Sequence, residues 1–214
     1  MRHIKPLRRG FYCVFCLLPA NGILKMIHAF LSSVIPVALA EIGDKTQLLT
    51  LFLATRFSRK YSIIAGMLCA TLLNHIVSAW FGVEVARFFT PQLMGWVVGF
   101  SFLIVGLWLL KPDKDDGVDT RFMRYGPFVA TAVLFFLAEV GDKTQIATIL
   151  LAAQYRDLFS VVLGSTVGLL LANVPVIFFG NWLMQRLPLN RIRIGACILF
   201  CLLGIITLIQ TWLY

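Results

Sequence analysis

The chain has 214 residues, of which 59% are hydrophobic and only 14% charged, with a mean hydropathy of +0.86 and a formal net charge of +9. A water-soluble domain carries closer to about 45–50% apolar and about 25% charged residues, so folding in water would leave a large apolar surface uncovered. This argues against a soluble enzyme or a disordered tail. It also argues against a nucleic-acid binder, because the Lys and Arg residues stand between apolar runs and not on an aromatic-lined basic face.

The chain opens with Arg2, Lys5, Arg8 and Arg9, then a short apolar run over 11–18 and the turn-forming Pro19-Ala20-Asn21-Gly22. Three readings fit this extension: a signal-like segment, an extra short span, or a start site that truly lies at Met26. Cys13 and Cys16 form a C-x-x-C without a second pair, and Cys69, Cys197 and Cys201 lie in long apolar stretches where cysteine acts as a small hydrophobe.

Six stretches are then long and apolar enough to cross a bilayer: 27–55, 62–86, 91–110, 127–153, 159–183 and 194–213. Short charged segments separate them. Leaving aside Lys45 and Lys143, which fall inside spans, one set of loops carries ten basic residues (Arg56, Arg59, Lys60, Lys111, Lys114, Arg121, Arg124, Arg186, Arg191 and Arg193). The other set carries three, Lys25, Arg87 and Arg156. The positive-inside rule therefore predicts a cytoplasmic central loop and an external C-terminus.

The chain is written twice. Ala40-Glu41-Ile42-Gly43-Asp44-Lys45-Thr46-Gln47 recurs, 98 residues later and with one change, as Ala138-Glu139-Val140-Gly141-Asp142-Lys143-Thr144-Gln145. The same offset relates Thr50 to Thr148, Gly66 to Gly164, Gly82 to Gly180 and Gly106 to Gly204. Each repeat holds three spans, an odd number, so the second enters the membrane from the opposite face. The expected fold is an all-α membrane protein of six core transmembrane helices in two inverted three-helix repeats. Residues 1–25 form the extension, 26–110 the first repeat, 111–126 a charged cytoplasmic loop and 127–214 the second repeat.

Each copy of the motif sits near the middle of its span, where an unpaired charge costs about 2.5–3.5 kcal/mol by insertion scales. Such groups must face the interior and find partners. On a continuous helix Glu41 and Asp44 share one face, as do Glu139 and Asp142, and four carboxylates converge if the copies meet. Four acids against Lys45 and Lys143 leave two negative charges, which one divalent cation or two protons would neutralise. Carboxylates with the oxygens of Thr46, Gln47, Thr144 and Gln145 are hard ligands suited to Mn²⁺, Ca²⁺ or Mg²⁺. Gly43 and Gly141 offer points of unwinding that would free backbone carbonyls as further ligands. The blander alternative makes Glu41–Lys45 and Glu139–Lys143 intrahelical ion pairs that tie the bundle together.

These two E-φ-G-D-K-T copies, each opening a three-span half, resemble the calcium/manganese:proton antiporter family, which includes Golgi and chloroplast manganese/calcium transporters and bacterial manganese exporters. The resemblance covers residues 26–214 and not the extension. It implies exchange of Mn²⁺ or Ca²⁺ for protons, no enzymatic activity and no resident cofactor. It also implies that Glu41, Asp44, Glu139 and Asp142 form the cation site, with Lys45, Thr46, Lys143 and Thr144 completing the motifs. The compact length is similar to that of the bacterial branch, which implies the inner membrane; a homo-oligomer is compatible with it.

Asn74 with His75 and Asn173 lie in the second span of each repeat, placed either to line the ion pathway or to join helices. Gly164 and Gly168, echoed by Gly66 and Ala70, are expected to serve close helix packing. The acids of the central segment from Lys111 to Asp119 fail the spacing of a calcium loop. Two rival functions remain: an intramembrane aspartic protease using Asp44 and Asp142 as a proton-sharing dyad, and a passive cation channel.

Overall fold

The computed structural model describes residues 22–111 and 120–213, and the readings made for the N-terminal extension and for most of the central loop fall outside them. The described residues form α1 (Gly22–Glu41), α2 (Lys45–Arg56), α3 (Lys60–Phe88), α4 (Pro91–Leu109), α5 (Gly126–Glu139), α6 (Lys143–Tyr155), α7 (Leu158–Arg186) and α8 (Leu189–Leu213). A 3-10 turn over Thr120–Tyr125 leads into α5.

Local chemistry sets several boundaries. Thr90 accepts a hydrogen bond from the Leu93 amide and is followed by Pro91, a residue suited to a first helical position, so α4 starts there. Asp157 caps α7 by accepting from Ser160.

Two predicted spans are corrected. Segments 27–55 and 127–153 are not single helices; each is broken at its motif, into α1 and α2 and into α5 and α6. The cause is a left-handed glycine in each break, Gly43 at φ +81° and Gly141 at φ +78°, which stops the helical ladder. At 12 and 13 residues α2 and α6 are about 18–20 Å long, too short to cross alone. Each continues, beyond its break, the apolar run that α1 or α5 begins. Other helices outrun their apolar windows: Lys60, Arg87, Arg191 and Arg193 are helical, not loop, residues.

Six helical segments are long and apolar enough to cross a membrane, and the chain is a transmembrane protein. The outward surface agrees, with Ile104, Leu107, Phe179, Trp182 and Trp212 exposed. A bilayer supplies the apolar surroundings that water would not.

Packing repeats the internal symmetry of the sequence. α1 lies on α7 as α5 lies on α3, and α3 meets α7 and α4 meets α8 across the pseudo-two-fold axis. Glycine sets these distances. A Cβ on Gly66 would stand 2.5 Å from the Phe128 carbonyl, and one on Gly164 would stand 2.5 Å from the Phe30 carbonyl. Those partners are themselves 98 residues apart, so one close crossing is built twice, and the glycines act in packing as expected. The symmetry is broken at the last helix of each repeat: α4 packs against α6, whereas α8 packs against α1.

Candidate functional site

Each break is closed by its own motif. Asp44 N–H donates to the Glu41 carbonyl at 3.1 Å, and Gly43 N–H donates to Gln47 Oε1 at 2.9 Å. The second copy repeats both bonds, with Asp142 N–H on the Glu139 carbonyl at 3.1 Å and Gly141 N–H on Gln145 Oε1 at 2.7 Å. The two glutamine side-chain oxygens therefore hold the turns and are not presented as ligands here. Asp44 and Asp142 occupy the N-cap positions of α2 and α6, where the positive end of a helix dipole favours an anion.

This corrects the expectation of acid pairs on continuous helical faces. Glu41 and Glu139 end one helix, while Asp44 and Asp142 begin the next. All four are buried: Glu41 and Glu139 are 0% exposed, Asp44 6% and Asp142 4%.

The ion pairs cross between the repeats. Lys143 Nζ lies 3.2 Å from Asp44 Oδ1, and Lys45 Nζ lies 3.6 Å from Asp142 Oδ2. The intrahelical Glu–Lys pairs weighed from the sequence are not among the ion pairs of the described residues. Each aspartate is compensated by the lysine of the opposite half. That is a link between the halves, and it places the motifs face to face.

The glutamates complete the cluster. Thr46 Oγ1 donates to Glu41 Oε2 at 2.5 Å, and Thr144 Oγ1 to Glu139 Oε2 at 3.5 Å. Glu41 is also approached by Thr144, while Glu139 lies in the field of Glu41, Asp142, Asp44 and Lys45. Asn173 Nδ2 reaches Glu41 Oε2 at 3.3 Å, and its Oδ1 accepts from Thr50 Oγ1 at 2.9 Å. Oε1 of each glutamate has no hydrogen-bond partner among the described residues. A buried carboxylate oxygen without a donor needs a proton or a cation.

As placed, no three His, Cys, Asp or Glu side chains among the described residues stand together as a ready metal-ligand group. The lysines neutralise the aspartates from within. The residues fit a divalent cation in kind, since all are hard oxygen donors, but two ion pairs must open for the aspartates to reach it.

The sequence pattern of the family described as "Divalent cation/proton antiporter GDT1" matches residues 29–117 and 127–213. The chain belongs to this antiporter family. It is 51% identical over 176 residues to a Vibrio cholerae protein named "Putative manganese exporter", covering 82% of this chain and 88% of that one. Similarity extends to the Saccharomyces cerevisiae "Divalent cation/proton antiporter GDT1", 22% identical over 90% of this chain and 87% of that protein. It extends also to the Arabidopsis thaliana "GDT1-like protein 5", 26% identical over 86% of this chain and 96% of that protein. No solved structure matches the chain at a significant level.

Within the family motifs, then, the eight acid, lysine and hydroxyl residues singled out from the sequence lie at the junction of the two repeats. Asn173 joins them through Glu41. Asn74 does not: its Nδ2 donates to the Phe136 carbonyl at 3.2 Å, a bond between α3 and α5. His75 is fully buried with Nδ1 3.1 Å from Thr166 Oγ1, a contact between α3 and α7.

Sequence reasoning missed two contributors to the site. Trp108 places its ring 5.9 Å from Lys143 Nζ. Arg193, read only as a topology signal, donates from Nη2 to the Gly43 carbonyl at 3.0 Å. No spacing rule pointed to either, since both come from helices distant in sequence from the first motif.

Proposed function

We propose that this antiporter exports Mn²⁺ from the cytoplasm in exchange for protons, by alternating access to the acid cluster at the junction of its repeats. Glu41, Asp44, Glu139 and Asp142 are the cation site, and the observation that carries the reading is the crossed pairing of Lys143 with Asp44 and Lys45 with Asp142. Pairs that span the repeats make any movement of one half against the other a change in the charge balance of the site.

Four acids and two lysines leave two negative charges. Mn²⁺ or two protons restores neutrality, so the two cargoes compete for one cluster and exchange follows from their exclusion of each other. When the cation enters, the lysines withdraw from the aspartates, and Thr46 and Thr144 keep the glutamates aimed inward. Ca²⁺ is the second cargo compatible with this oxygen set. The relative named as a manganese exporter favours Mn²⁺. By the positive-inside rule the end carrying Arg56, Arg186 and Arg193 is cytoplasmic, in a bacterial inner membrane, with the C-terminus outside.

The crossed pairs also speak against an aspartic dyad. Asp44 and Asp142 each face a lysine of the opposite half, whereas a dyad sets its two aspartates against each other across one shared proton.

The test is proton movement in sealed vesicles holding the purified protein, with Mn²⁺ and then Ca²⁺ added against a preset pH gradient. Mn²⁺ is expected to dissipate the gradient, and Glu41→Gln and Asp142→Asn to abolish the effect. Metal uptake without proton movement would replace exchange by a uniporter or channel.

A further inference from the structure

The two motif loops are not equally covered. Leu189 and Arg193, on the first turns of α8, close over the first loop: a Cβ on Gly43 would stand 3.0 Å from Leu189 Cδ2, and Arg193 Nη2 donates to the Gly43 carbonyl at 3.0 Å. At Gly141 nothing among the described residues lies within 4 Å of the same position, and Val140 beside it is 53% exposed. The sequence shows why: 98 residues before Arg193 stands Gly95, which has no side chain to offer, and 98 before Leu189 stands Pro91.

We infer that Arg193, seated by Leu189, is a one-sided gate of the antiporter, closing the route between the acid cluster and the basic end of the bundle; this rests on the exchange reading above. Three observations carry it. Among the described residues the charged lining of the cavity at this point is Lys111, Lys143 and Arg193 against Asp44, three cations against one acid, so a divalent cation arriving from this end meets repulsion. Its volume is about 10 Å³, at the lower limit for one water molecule and closed to an ion with ligands. The carbonyl that Arg193 occupies belongs to the left-handed residue of the break, one of the backbone oxygens that the break frees from the helical ladder. The guanidinium thus sits on an oxygen suited to the cargo, with the cargo's sign of charge. Opening this side requires α8 to swing its first turns away from the loop, carrying Leu189 and Arg193 together. Since α8 packs along α1 and α4, that swing is a movement of the second repeat against the first.

The experiment reads solvent access. Ile42 lines the same cavity. In the full chain with its native cysteines replaced by serine or alanine, Ile42→Cys is labelled in membrane vesicles by a membrane-impermeant thiol reagent applied from the basic end. Labelling is expected to be slow with Arg193 intact and at least tenfold faster with Arg193→Met. Leu189→Ala, which leaves Arg193 in place but unseated, is expected to raise it severalfold and serves as the second route should the Arg193 variant fail to insert. Labelling unchanged in the variants that insert overturns the gate. Mn²⁺-driven proton flux of the unsubstituted protein, measured in parallel, separates the two readings: absent flux with an intact labelling contrast fails exchange and keeps the gate, whereas normal flux with no contrast fails the gate and keeps exchange.

Discussion

The two copies of the motif differ in one residue of eight yet stand in different surroundings. In the first, Glu41 is held by Thr46 and Asn173, and Gln47 Nε2 reaches the Ala172 carbonyl at 2.9 Å, tying the start of α2 to α7. In the second, Glu139 has the longer bond from Thr144, and the position matching Asn173 is His75, which turns to Thr166. The lysines diverge as well: the Lys143 side chain is 5% exposed and backed by Trp108, while that of Lys45 is 32% exposed. Near-identical motifs thus give two ion pairs with buried aspartates, one with an enclosed lysine and one with a part-exposed lysine. The lesson is that the duplicated motif supplies matching chemistry, and the non-identical residues of α4, α7 and α8 make the surroundings of its two copies unequal.

The largest expected effect tests the part of this comparison in which the copies are equal. Glu41→Gln and Glu139→Gln should each lower Mn²⁺-driven proton flux by about 100-fold or more, roughly 2.7 kcal/mol if expressed as a barrier. Both glutamates are fully buried with one oxygen lacking a donor among the described residues, so neither is replaceable by the other. Flux that survives in one variant alone would mean that a single copy carries the ion.

Next comes the inequality of the lysines. Lys143→Met removes an enclosed lysine from a buried aspartate, an imbalance worth about 3–5 kcal/mol, whereas Lys45→Met removes a part-exposed lysine whose longer pair with buried Asp142 is worth less. The thermal midpoint in detergent should fall several degrees further for the first, and adding Asp44→Asn to Lys143→Met should recover most of the loss. Equal shifts for the two lysines would show that burial does not distinguish the pairs.

A smaller difference is expected at the breaks. Alanine at either Gly43 or Gly141 must adopt a left-handed conformation, at about 1–2 kcal/mol. Gly43→Ala also drives a methyl to 3.0 Å from Leu189, while a methyl at Gly141 meets none of the described residues within 4 Å. Gly43→Ala should therefore lower the thermal midpoint more, and Leu189→Ala should erase the excess. A larger loss at Gly141 would reverse the assignment of covered and open loops.

Much of this was legible in the residues. The fixed offset between Glu41 and Glu139 gave two repeats, and the odd number of spans in each gave their inversion. Charge at mid-span gave an interior cluster. What the sequence left undecided was how the acids are compensated, because Lys45 is four residues from Glu41 along a helix and also able to reach Asp142 in the other half. Only the break at Gly43 settles that choice, since it removes the helical register on which the local pair depends. The apolar windows likewise hid the breaks: Leu48, Leu49 and Leu51 continue the hydrophobic run of α1 into α2, so hydropathy sees one span where the backbone has two helices.

The smallest effect separates residues that the sequence could only group together. Asn173 and Asn74 both lie in the second span of a repeat, but Asn173 donates to Glu41 and accepts from Thr50, whereas Asn74 donates to a backbone carbonyl of α5. One hydrogen bond to a charged group is worth about 1.5–3 kcal/mol, and a neutral one about 1. Asn173→Ala should therefore weaken the apparent Mn²⁺ affinity by about tenfold, because Glu41 loses a donor that fixes its orientation. Asn74→Ala should leave affinity within about twofold and instead lower the thermal midpoint, because it loosens α3 from α5. The same pair of measurements decides against this placement if Asn74→Ala alters affinity and Asn173→Ala alters only stability, for then the second copy, and not the first, would have the ordered shell around its glutamate.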